Sequence, residues 1–382
     1  MSPLARRLAI ALGTTQILAW STTFYIPATM LGAVSDSLGA SKTMLLAAFS
    51  WSLLVASVCA PRIGRFIDAR GGKPILMAGA LVTFIGLVAL AAAQSLLHWF
   101  GAWTVLGVGM ALGLYDTTFA TIGRILGRDS RPAIVGVTLI AGFASTVGFP
   151  SGTWLVHLMG WRDAVLIYAA VQVVLVLPLI MVFVPASPGT PPQGMARVTP
   201  EGGRLPGRFE FGLMAVFFTS RAGIGALISV HALVLLQGLG MSLDAAVGIA
   251  SLIGAAQVGA RLLDVRFGRG LSPVTSGQIG AALMPVGIVA TLLGAPALVF
   301  ALTYGMSNGI FTISRGTLPM HVFGPAGYAT LLGRLALPSL MAQALIPTLV
   351  APAIDSFPAS WIFAGIAGLS ALAFACLLPL RR

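Results

Sequence analysis

Hydrophobic residues in this chain run in long, nearly unbroken stretches, and charges, glycines and prolines fall between them. The stretches lie at 8–31, 43–64, 74–94, 97–122, 133–157, 163–184, 211–236, 243–265, 274–294, 296–318, 327–352 and 358–380. Each has about 20 to 27 residues, enough for a tilted helix across a hydrocarbon core roughly 30 Å thick. They do not alternate as the strands of a membrane barrel would. An open sheet would leave backbone groups unsatisfied in lipid. The pattern therefore predicts an all-α integral membrane protein with twelve transmembrane helices. The first stretch is too long for a signal-peptide core and is expected to stay as a span.

Composition supports lipid as the solvent. The chain is 57% hydrophobic and 8% charged, whereas soluble domains carry roughly 25% charged residues. The net charge is +12, but the basic residues sit in short clusters between apolar runs with no aromatic–basic stripe, so no nucleic-acid partner is expected. Placing Arg6 and Arg7 in the cytoplasm puts seventeen of the 22 basic residues on that side and only Lys42 and Arg162 opposite. That asymmetry predicts both termini inside, in a bacterial inner membrane. Cys59 and Cys376 lie in apolar runs and read as small buried hydrophobes. No disulfide framework, metal site or cofactor is expected.

The middle of the chain is different. Residues 185–208 read PASPGTPPQGMARVTPEGGRLPGR, with eleven of 24 residues Pro or Gly. Such a segment reads as a flexible linker. It divides the chain into a bundle of six spans at 1–184, a cytoplasmic linker at 185–208 and a second bundle of six at 209–382. The halves also echo each other. RFIDAR at 65–70 and RLLDVR at 261–266 are 196 positions apart, as are GMALG at 109–113 and GMSNG at 305–309. LGAS at 38–41 and LGMS at 239–242 add a third pair, offset by 201. Parallel repeats of six spans are the architecture of one large class of secondary transporters.

The loop GRFIDARGGK at 64–73 makes the likeness specific. It resembles the signature loop between spans 2 and 3 of the major facilitator superfamily, in which Gly64, Asp68, Gly71 and Lys73 match the pattern. Phe66 stands where an aliphatic is usual, and Ala69 and Gly72 each replace a basic residue. GWRDA at 160–164 looks like that family's turn between spans 5 and 6. The resemblance implies two six-helix bundles that rock about a midplane site, driven by a proton gradient or a counter-substrate. It also implies that Asp68, with Gly64, Gly71 and Lys73, belongs to a cytoplasmic gate. Asp68 at a helix end can accept hydrogen bonds from the positive start of a helix near span 11. Arg124 is the expected ionic partner, and Asp264 the counterpart from the other half.

Ionisable residues within spans point to function, because each is costly in hydrocarbon. Arg221 lies near the middle of span 7 and Asp116 midway along span 4, with Gln16, Tyr25, Gln257, Tyr304 and Asn308 at comparable depths. These seven are the candidate substrate-binding residues. Arg315 and Arg334 lie closer to the cytoplasm and join the gate. Three arginines against one aspartate favour a small anionic or zwitterionic organic solute, since a guanidinium fork matches carboxylate oxygens. A structural ion pair is the alternative for each. A proton-coupled drug exporter is a second reading, weakened because Trp103 precedes Gly107 where such relatives carry an arginine, and because Phe149 interrupts Gly-Pro in GFASTVGFPSG. A transporter-like receptor is a third. An enzyme is not expected. The four histidines are isolated, no GxSxG elbow occurs, and GGK at 71–73 lacks the spacing of a phosphate-binding loop. A monomer embedded in the bilayer is expected, taking a small-molecule substrate, with proton coupling as one of the two expected energy sources.

Overall fold

A computed structural model describes residues 1–186 and 207–380. Among the described residues all regular structure is helical. The first part comprises α1 (Pro3–Ser21), α2 (Ile26–Leu38), α3 (Lys42–Arg70), α4 (Lys73–Ala91), α5 (Leu96–Gly113), α6 (Tyr115–Leu126), α7 (Arg131–Ala141), α8 (Ala144–Val171) and α9 (Leu177–Phe183). The second comprises α10 (Arg208–Gly238), α11 (Leu243–Phe267), α12 (Pro273–Leu292), α13 (Ala297–Phe323), α14 (Tyr328–Ser356) and α15 (Ala359–Ala375). Nine helical stretches among the described residues are long and apolar enough to cross a membrane, and α15 is a shorter apolar helix. One of the nine, Leu96–Phe183, is an 88-residue run holding α5 to α9. Gly160 interrupts it at φ 82°, where the GWRDA turn is expected. Only glycine takes that backbone conformation without strain. Most of the linker, 187–206, lies outside the described residues.

Local chemistry explains the helix starts. Ser2, Ser41, Ser95, Ser242 and Ser272 each accept the backbone N–H three residues on, a cap worth about 1 kcal/mol. Most of the helices show little amphipathic contrast, as expected when lipid replaces water, while Tyr115–Leu126 is clearly amphipathic. Aliphatic side chains such as Ile10, Val58 and Ile85 face outward, while Gln16, Thr121 and Arg221 are buried.

The described residues within Met1–Glu201 and Gly324–Leu337 form one compact unit, and those within Gly202–Phe323 and Pro338–Arg382 form the other. The first turns of α14 thus pack with the N-terminal helices, whereas the sequence pattern assigns them to the second bundle. The division falls at Pro338 within α14, a residue type that removes an intrahelical hydrogen bond. Within each unit the packing repeats. In the first, α5 lies on α3 and α4; in the second, α13 lies on α11 and α12. The core of the second unit gathers Ile224, Leu235, Ile288, Phe300, Tyr304 and Phe363.

Candidate functional site

At the end of α3, Asp68 is bound to the start of α14. Its carboxylate accepts the Ala329 N–H at 3.2 Å, the Thr330 N–H at 2.7 Å and the Thr330 hydroxyl at 2.6 Å. The free N–H groups and positive end of the helix dipole favour an anion there. Two glycines permit the approach. A Cβ on Gly64 would overlap the Ala329 carbonyl, and one on Gly333 would overlap the Ala60 carbonyl. Backbone cannot yield as a side chain can. Gly71, at φ 82°, closes α3 by donating its N–H to Ile67.

The other expected gate residues fall differently. Arg124 does not pair with Asp68. Its Nε and Nη2 are buried without a hydrogen-bond partner, while the Asp68 carboxylate is engaged by α14. Lys73 turns to its own unit and donates to the Met181 carbonyl at 2.7 Å, in the last turn of α9. Asp264 accepts the Ser276 hydroxyl at 2.8 Å, near the start of α12. Arg334 is exposed and Arg315 half-buried.

In the second unit, Arg221 sits close to the middle of the 31-residue α10 and is 2% exposed. Its Nη1 donates to the Met284 sulfur at 2.6 Å, and the guanidinium lies 5.4 Å from the centroid of the Phe311 ring. Its Nε and Nη2 are buried without a partner. A thioether is a weak acceptor, so this cation is far from satisfied. Tyr304 is buried and stacks on Phe300. Gln257 and Asn308 are half-buried on α11 and α13.

In the first unit, Asp116 occupies the first turn of α6, where the helix N-terminus favours an acid. Gln16, 1% exposed, holds the break between α5 and α6. Its amide donates to the Gly113 carbonyl at 2.8 Å and the Thr118 hydroxyl at 2.9 Å, and its oxygen accepts the Trp20 indole at 3.2 Å. These three bonds tie Gln16 to both sides of the break and to Trp20. A cavity of about 20 Å³ beside Thr15, Thr83 and Gln172 has room for roughly one water.

Sequence reasoning missed Met284 and Phe311, apolar letters without any polar signal. It also passed over Arg261, which is buried and donates weakly to the Thr312 hydroxyl at 3.4 Å. The residue's place at a helix end concealed that.

Comparisons with known proteins agree on one family. The model of the Major Facilitator Superfamily matches residues 11–337. Monocarboxylate transporter 11 of mouse is 30% identical over 300 residues, 70% of this chain and 63% of that protein. The human protein of the same name is 30% identical over 292 residues, 70% of this chain and 60% of its own. The chain thus spans about three fifths of the length of these relatives. Among solved structures, the human organic anion transporter MFSD10 superposes with a TM-score of 0.76 at 16% identity, covering 99% of this chain and 100% of that one. The proton:xylose symporter XylE superposes at 0.75 and 16% identity, covering 97% and 94%.

Proposed function

Because this chain belongs to the Major Facilitator Superfamily, whose members are transporters rather than enzymes, we propose that it moves a small organic anion of the monocarboxylate class by alternating access. Each of its two helical bundles contributes to the cycle, and a proton gradient or counter-substrate drives it. The chain is an integral multi-pass membrane protein. The charge asymmetry along the sequence supports cytoplasmic termini in a bacterial inner membrane, and a monomer suffices for the mechanism. The likeness to proteins named as monocarboxylate transporters supports the substrate class.

Arg221 carries the reading. A buried guanidinium with two nitrogen donors unpartnered is expensive to keep. An oxyanion would take up those donors in a charge-assisted fork. The clamp of Asp68 on α14 supports a gate that closes one face and must release for the cycle to proceed.

The test replaces Arg221 with methionine in purified protein. Without its charge, binding of a labelled monocarboxylate such as lactate or phenylacetate should weaken about 10- to 100-fold. The unfolding temperature should hold or rise, since an unsatisfied buried charge has gone. A variant that binds as wild type while melting earlier would make Arg221 structural and end the reading.

A further inference from the structure

Three predicted spans of the first unit are interrupted near their centres: at residues 22–25 between α1 and α2, at Leu114 between α5 and α6, and at 142–143 between α7 and α8. In the second unit, α10 and α13 run through their spans without a break. Irregular backbone at membrane depth is tolerated where it is buried in protein or lines a cavity, and broken helices mark binding sites in transporters. Around these breaks the first unit gathers a cluster of aromatic rings. Trp20 lies 4.6 Å from Phe24, 5.3 Å from Tyr115 and 6.5 Å from Tyr25, centroid to centroid. Phe24 continues to Phe49 at 5.0 Å, and Tyr25 to Phe149 at 4.8 Å.

The rings form two layers. Trp20, Phe24, Tyr25, Phe49 and Tyr115 are half-buried and Phe149 is exposed. Behind them Trp103 and Phe119 are fully buried, with Trp103 edge-on to Phe49 and Phe119 stacked on Tyr115. The front layer is therefore held from behind, and Trp20 is oriented by Gln16. Neighbouring rings in the front layer are tilted or edge-on, which is how a further ring joins an aromatic cluster. An aromatic cage can also hold a cation. Asp116, the acid beside Tyr115, already has an interaction partner, and the chain carries +12. Both features favour a neutral ring over a cationic group.

We propose that this platform of Trp20, Phe24, Tyr25, Phe49 and Tyr115 recognises an aromatic ring on the transported acid, so that the preferred solutes are arylcarboxylates. The inference rests on the organic-anion reading above. Phenylacetate and cyclohexylacetate have the same charge and nearly the same size, so they isolate the ring. With full-length protein in liposomes, phenylacetate should compete with labelled lactate roughly tenfold better than cyclohexylacetate does. Trp20→Leu and Tyr115→Leu should abolish that difference, each variant's competition being read against its own lactate uptake. A measurement on protein with all its rings stands beside the variants. Added 4-nitrophenylacetate should quench tryptophan emission saturably, and Trp20→Phe should remove that component. Equal competition by the two acids, an unchanged preference in both variants, or stronger competition by trimethylglycine overturns the ring platform while leaving anion transport standing. Failure of wild-type protein to bind any of these carboxylates overturns the anion reading and the platform with it.

Discussion

Two stretches of this molecule share nearly the same letters and meet different fates. In RFIDAR, at the end of α3, Arg65 is exposed and Asp68 receives three hydrogen bonds from the start of α14. In RLLDVR, at the end of α11, Arg261 is buried, and Asp264 receives a hydroxyl from Ser276, twelve residues on. One aspartate ties together segments 261 residues apart; the other has a short-range bond near the following helix. The duplicated phrase preserves a helix end with an acid on it. What that acid holds depends on which helix start lies opposite and on whether glycines let the backbones close. Gly64 stands one position before the first phrase, packed on α14, while Ala260 stands at the matching place in the second.

The sharpest way to break this contrast is Asp68→Asn. An amide keeps the shape but loses the charge that three donors and a helix dipole converge on. Transport should fall by about two orders of magnitude, with membrane insertion and gel-filtration behaviour unchanged. Uptake at the wild-type rate in proteoliposomes would remove the clamp from the mechanism. A middle-sized effect should separate the two arginines. Arg261→Gln takes a buried charge from among its neighbours and should lower the unfolding temperature by several degrees, whereas Arg65→Gln, on the surface, should leave it within error. Equal shifts in a thermal scan would mean the two positions are equivalent after all. The smallest change is expected from Ser276→Ala, which deletes one hydroxyl donor to Asp264 and should cost about 1 kcal/mol or less with near-normal uptake. A loss as large as that of Asp68→Asn would give the second aspartate a clamp of its own.

Much of the fold was legible along the chain. The apolar stretches fall on helices, and the Gly160 turn appears where GWRDA lies. The contact of Asp68 with α14 was legible in part, because Asp68 and its glycines belong to a motif and the pull of a helix start on an anion is general. Arg221 stood out as a charge in an apolar run, and its burial agrees with that. The interruptions at 22–25, Leu114 and 142–143 were not read, since each lies inside a continuous apolar run. The aromatic platform stayed invisible for a different reason: its rings come from α1, α3, α6 and the turn at 22–25, and no window of sequence contains them together.

The sequence by itself determined the solvent, the helical character and the internal duplication, because hydropathy, backbone satisfaction in lipid and repeated wording are sums over neighbouring residues. Only the tertiary structure decided who partners each charge: that Asp68 meets α14 and not Arg124, that Arg221 faces a sulfur and a ring, and that the opening turns of α14 pack with the first unit. The physical reason is distance along the chain. A charge is satisfied by whatever the packing brings within about 3 Å, and that neighbour can lie hundreds of residues away.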